Sequence, residues 1–169
     1  MIRPPRIAVW LFCAGLLAGC SGIKTYPDTS PKNLFVKTEA SSGSAFSRVR
    51  VSVHIHQVDA SCRTEYLGTV QLSEPSVEIG IPPDRLTYLE FSFFSSSFFS
   101  GSSGTIYYTT LLRPRAGYIY DASARYADGI YYVVIRESDP RRSAGREVER
   151  MGLDECGQRR VSSRLLPTW

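Results

Sequence analysis

The sequence predicts an all-β domain, an antiparallel β-sandwich of about 7–8 strands followed by an irregular Arg-rich tail. Three observations carry that expectation. Apolar and polar residues alternate in one run after another from Leu34 onward. The aromatic content comes from 10 Tyr and 8 Phe, residues that favour strands. Clusters of Gly, Pro, Asp and Ser separate the runs at intervals of about 8–12 residues. With 169 residues, 43% hydrophobic and 21% charged, the chain is neither a disordered tail nor a fibrous repeat. One domain of this length buries a core without help from a metal.

The first element is an export segment, 1–19. Arg3 and Arg6 make a positive start, and the apolar run 7–17 is eleven residues long. A spanning helix needs roughly 17–25 residues, so the run reads as a signal core rather than an anchor. It ends in Leu17-Ala18-Gly19-Cys20. This box resembles the lipobox of bacterial lipoproteins at every one of its positions. The resemblance implies cleavage before Cys20, a diacylglycerol thioether on its sulfur and an acyl chain on the new terminus. Stable anchoring takes more than one chain, which that pattern provides. Ser21 follows the cysteine where inner-membrane lipoproteins commonly carry Asp, which in a Gram-negative host implies the periplasmic side of the outer membrane. Without Arg3 and Arg6 the net charge falls from +4 to +2, so no case for nucleic acid rests on charge.

Residues 20–33 hold the lipidated Cys20 and a polar stretch with two Pro, expected as a flexible tether. Fully extended, 21–33 reaches at most about 45 Å.

The expected sandwich domain is 34–138. A short strand covers 34–38. In 46–59, Val49, Val51, Val53 and Ile55 share one face and Arg48, Arg50, Ser52, His54 and His56 the other. The turn Asp59-Ala60-Ser61 leads to a strand over 62–72. Val77, Ile79 and Ile81 alternate until Pro82-Pro83 stops them. Leu89, Phe91 and Phe93 point inward from 86–94, and 105–112 ends at Arg113-Pro114. Asp128-Gly129 between 117–127 and 130–137 is a two-residue type I′ signal. Its register opposes Tyr126 to Tyr131, Ala124 to Val133 and Ala122 to Ile135. On the other face it sets Asp121 across from Arg136 and Arg125 across from Tyr132, an expected ion pair and cation–π contact. Such a strand series is immunoglobulin-like or transthyretin-like. The tail 139–169 carries seven Arg and five acids, with a helical turn or two expected over 144–151.

Of four cysteines, Cys13 leaves with the signal and Cys20 carries lipid. Cys62 and Cys156 remain for a disulfide in an oxidising compartment, pinning the tail. A loop of 94 residues gives roughly 4–5 kcal/mol in the chain-entropy model.

No cofactor, metal or catalytic residue is expected. His54 and His56, the only histidines, stand two apart in a row with Arg48 and Arg50, whose charge disfavours a metal ion. No third ligand is obvious, although Asp59 or Glu65 follows closely in the sequence. GxSxG, HExxH, P-loop and GxGxxG patterns are missing from the sequence. Glu74, Glu78 and Glu90 read as solvated positions. Phe98 and Phe99, inside the Ser/Gly-rich stretch 95–104, are the candidate partner-binding residues, with an envelope protein as the expected partner. The plan of lipobox, tether and small sandwich is similar to lipoproteins of the type VI secretion apparatus. That similarity implies an accessory subunit of a secretion or envelope complex. The alternative is a periplasmic binder of cell-wall glycan or a small solute, using Tyr107, Tyr108, Tyr118 and Tyr120.

Overall fold

A computed structural model describes residues 23–40, 47–97, 102–127, 130–142 and 145–157. Each alternating run becomes a strand: β1 (Leu34–Ala40), β2 (Ser47–Val58), β3 (Thr64–Gln71), β4 (Ser76–Ile79), β5 (Thr87–Ser97), β6 (Ser103–Leu112), β7 (Ile119–Ala127) and β8 (Ile130–Ser138). A ninth strand, β9 (Arg146–Glu147), was not foreseen. One sheet has the order β3-β2-β5-β6, the other β4-β1-β7-β8-β9. The two pack face to face as a β-sandwich.

Period-two alternation supplies the core. Val51, Val53 and Ile55 of β2 and Leu89, Phe91 and Phe93 of β5 meet Leu34 and Val36 of β1. Tyr120, Ala122 and Ala124 of β7, with Val133 and Ile135 of β8, complete it. The β7–β8 register matches the Asp-Gly expectation, with Tyr126 opposite Tyr131 and Ala122 opposite Ile135. Arg125 stands across from Tyr132, but its guanidinium pairs with Glu39 at 2.8 Å, across the β1–β7 register. That β1–β7 pair is parallel, the one departure from an antiparallel plan among the described strands.

Two segments outside the expected domain are part of it. The chain expected as a tether is docked from Lys24 onward. Thr25 bridges Thr69, the Tyr26 amide donates to Thr69 O at 3.1 Å, and Thr69 N–H donates to Lys24 O at 2.8 Å. The Tyr26 ring is only 6% exposed, and its hydroxyl donates to Gly80 O at 2.8 Å. Asp28 accepts from Gly80 N–H at 2.6 Å. Asn33 exchanges two 2.8 Å side-chain bonds with the Ile81 backbone before β1 begins. The segment therefore passes from the edge of one sheet to the other, and a tether gains nothing from leaving so many bonds unmade. Gly68 and Gly80 mark the crossings. A Cβ on Gly68 would stand 2.5 Å from Tyr26 N, and one on Gly80 would fall within 2.7 Å of the Ser30 carbonyl carbon. Only glycine admits backbone that close.

The C-terminal segment mirrors this on the opposite side. Residues 145–151, where a helical turn was expected, are extended instead. Strand β9 pairs with β8, Val148 N–H donates to Ile135 O, and Leu111 N–H donates to Met151 O, both at 2.8 Å. Free backbone along the β8 and β6 edges outbids a short isolated helix. A 3-10 turn, Leu153–Glu155, then leads to Cys156. Met151 and Leu153 cover Val58, Leu86, Tyr88 and Leu111 on the outer face of the β3-β2-β5-β6 sheet, forming a second, smaller apolar cluster. Cys156 lies at disulfide distance from Cys62, with Cα atoms 6.0 Å apart. The Asp59 carboxylate shapes that corner by accepting Ser61 N–H at 2.7 Å and Arg63 N–H at 3.0 Å, which turns Cys62 into positive φ.

Candidate functional site

The sandwich has two chemically different ends. At one end lie the Cys62–Cys156 pair and the starts of β5 and β3, and the N-terminal segment comes onto β3 in the half of the sheet nearer to them. Lys24 and Tyr66 exchange side-chain-to-backbone bonds there, each 3.3 Å. At the other end lie the β7–β8 turn and the arms of the β5–β6 hairpin, where Ser96 pairs with Ser103. Tyr88 and Ser97 are nine residues apart along β5, about 30 Å at strand rise. Midway along β6, Ile106 opposite Phe93 is 49% exposed and Tyr107 opposite Ser92 is 55% exposed. Tyr126, Tyr131 and Phe93 stack beneath, with Tyr131 5.0 Å from Phe93 and 4.7 Å from Tyr126. Phe98 and Phe99 belong to the connection of these arms and lie outside the described residues, as does Cys20. Of the expected site residues, Cys62 and Cys156 are brought together.

The four tyrosines proposed for ligand binding do not share a surface. Tyr120 is fully buried, while Tyr118 lies under the Arg115 guanidinium at 3.9 Å and Tyr108 under Arg150 at 4.8 Å. Tyr107 alone is open.

The outer face of β2 carries a linked set of hydroxyls and rings. His54 Nδ1 lies 2.6 Å from Thr69 Oγ1, and its Nε2 lies 3.3 Å from Ser92 Oγ. Ser92 Oγ is 2.7 Å from Ser52 Oγ, and the Tyr66 hydroxyl is 2.6 Å from Thr69 Oγ1. Nucleophilic catalysis needs an accessible hydroxyl and free N–H donors for the oxyanion. Ser92 is buried, and its strand is laddered on both sides by β2 and β6. His56 sits between Tyr66 and Tyr88, ring centroids 5.2 and 5.6 Å away. Its Nε2 is buried without a hydrogen-bond partner. Burial lowers its pKa, with Glu90 opposing and His54 adding to the shift. Among the described residues, no three His, Cys, Asp or Glu side chains gather in metal-binding range.

One constellation escaped the sequence reading. Glu137, 8% exposed, accepts Arg115 Nε at 3.0 Å and the Tyr120 hydroxyl at 2.9 Å on Oε2, and Arg146 Nη2 at 3.3 Å together with Arg115 Nη2 on Oε1. Arg115 N–H donates in turn to the Tyr120 hydroxyl at 2.9 Å. Hydrogen bonds from Arg115, first of all, hold the Glu137 carboxyl below the usual range, and they raise the Arg115 pKa further. A carboxylate so saturated is a latch between β7, β8 and β9 rather than a base. The clue was present: Glu137 shares the parity of inward Val133 and Ile135.

A cleft of about 770 Å³ opens at the disulfide end between Gln57, Asp59, Arg85, Arg113 and Met151. Arg85 Nη1 donates to Gln57 Oε1 at 3.1 Å across its floor. No described helix is long and apolar enough to cross a membrane. What these features define is a doubly strapped β-sandwich with one laced end and one aromatic end. Comparison with protein-family models, with curated proteins and with solved structures finds no match for this chain.

Proposed function

We propose that the chain is a bacterial lipoprotein, held by acyl chains on Cys20 at the periplasmic face of the outer membrane. In this reading it is a non-enzymatic interaction module of the envelope, an accessory subunit of a secretion or envelope complex. Its partner is a protein met through the Phe98-Phe99 connection. The observation that supports this most is the polarity of the fold. The N-terminal segment comes onto β3 beside Tyr66 and Thr69, in the half of the sheet nearer the disulfide, while the β5–β6 arms flanking Phe98 and Phe99 reach the opposite end. An aromatic tip placed there faces away from its own membrane and toward a partner.

Two adjacent rings docking into a partner bury about 300 Å², given 150–250 Å² for a full ring. At about 25 cal/mol per Å² that is several kcal/mol before loop ordering is subtracted, the size of a binding hot spot. The test is Phe98→Ser with Phe99→Ser. The pair of changes leaves the thermal midpoint nearly unaltered and abolishes co-purification of the partner from membranes. A large fall in stability instead assigns both rings to the core and removes the proposal. The 770 Å³ cleft favours a second reading, a binder of a small solute or cell-wall fragment, since ligand sites commonly span about 300–1,000 Å³. A thermal-shift screen with soluble peptidoglycan fragments, repeated on Arg113→Ala, decides it.

A further inference from the structure

The docking of the N-terminal segment changes how the fold meets the membrane. A tether running from Ser21 to Asn33 would let the domain roam about 45 Å from its anchor. Because the chain is tied to β3 from Lys24 onward, only four residue steps separate Cys20 from the folded body, at most about 14 Å. The headgroup layer alone takes about 5–8 Å of that span. We propose, resting on lipidation at Cys20, that the disulfide end of the sandwich stands on the phospholipid headgroups. Tyr66 and the β3 edge lie at the bilayer surface, and the β5–β6 and β7–β8 tips point away from it.

The exit point has the chemistry of an interfacial contact. Ile23 is 63% exposed, Lys24 is exposed beside it, and Tyr66 is 37% exposed on the edge strand that Lys24 holds. An apolar side chain, a snorkelling cation and an amphipathic ring are the residue types that settle at a membrane–water boundary. Tyr107 is paired with Ser92 midway along β5, four residues and about 13 Å beyond Tyr88 on the row of Tyr66, and on the opposite edge of the sheet. The occupant of this surface is therefore the lipid that the anchor itself supplies, and chain length dictates the contact.

The experiment uses the lipidated full-length protein in vesicles of phosphatidylethanolamine and phosphatidylglycerol containing bromolipid. Single reporters Tyr66→Trp and Tyr107→Trp are compared, each in a Trp169→Phe background, and Glu65→Trp serves if Tyr66→Trp does not fold. Mass spectrometry of the same sample first establishes whether Cys20 carries its acyl chains. With the lipid in place, the reporter at 66 loses most of its emission to bromolipid and the reporter at 107 loses none. Inserting a Gly/Ser spacer of about 15 residues after Ser21, adding roughly 20 Å of reach, restores emission at 66 while the protein stays on the vesicle. An acylated protein whose reporter at 66 is unquenched overturns this orientation and leaves the lipoprotein reading standing. Shielding of that reporter from aqueous acrylamide without bromolipid quenching also overturns it, because a protein would then cover the edge. A Cys20 without acyl chains removes the lipoprotein reading itself.

Discussion

Replacing Gly80 with Ala tests whether the N-terminal segment is part of the fold. The new Cβ falls on the Ser30 carbonyl group, and the obstruction is backbone rather than the end of a pliable side chain. Two responses are open. If the segment shifts in place, the cost is that of overpacking, about 1–3 kcal/mol. If it lifts away, Tyr26 loses its burial, worth about 2–3 kcal/mol for a ring of this size. The bonds of Tyr26, Thr69 and Gly80 then pass to water at about 1 kcal/mol each, and the chain entropy regained offsets part of the loss. The cheaper response sets the cost, so a destabilisation of about 1–3 kcal/mol is expected, read by urea unfolding. Amide exchange separates them: release speeds exchange at Tyr26 and Thr69, whose N–H groups make the crossing bonds. Gly68→Ala meets Tyr26 N at 2.5 Å and acts on the same segment, so the double variant costs less than the sum of the two. If each variant lies within about 0.5 kcal/mol of wild type with both amides still protected, the docked segment is refuted.

Three further outcomes follow from the same geometry. The unfolded, unreduced protein labels no thiols, and Cys156→Ser costs a few kcal/mol and opens residues 145–157 to proteolysis; labelling of both thiols without reductant contradicts the Cys62–Cys156 link. Glu137 has a folded pKa below its unfolded value of about 4.3, so its contribution is complete above that pH and is lost as pH falls through the folded value; Glu137→Gln removes this acid-side slope in urea titrations. His56 is a base whose folded pKa is depressed, so the unfolded chain binds its proton more readily below about 6.5, and stability declines there as pH falls; His56→Gln flattens that decline and leaves the one below pH 4 in place.

How much of this was legible depended on whether the information was local. Alternation in 46–59 and 86–94 placed β2 and β5 to within a few residues, because each strand buries one face and shows the other. Asp128-Gly129 settled the β7–β8 register through the turn alone. The parallel β1–β7 pair had no such signal, since its partners are 86 positions apart, as in Leu34 against Tyr120, with no shared turn. The straps were hidden by composition. Residues 24–33 are polar and Pro-bearing, and their one buried ring is Tyr26, whose partner surface exists only after β3 and β4 form. Gly68 and Gly80, glycines inside or beside strand patterns, were the available hint of a close backbone crossing. At the candidate site, cysteine arithmetic paired Cys62 with Cys156, whereas Glu137 was not singled out, because its partners Arg115 and Arg146 lie 22 and 9 positions away and meet it only in the fold.

The proposed role and the proposed orientation both require lipid on Cys20, and one measurement reaches it directly: mass spectrometry of the N-terminal peptide of the protein extracted from the membrane fraction. The expected result is a terminus at Cys20 bearing a diacylglycerol thioether and an amide-linked acyl chain. A mature protein that begins elsewhere, or begins at Cys20 without lipid, contradicts it.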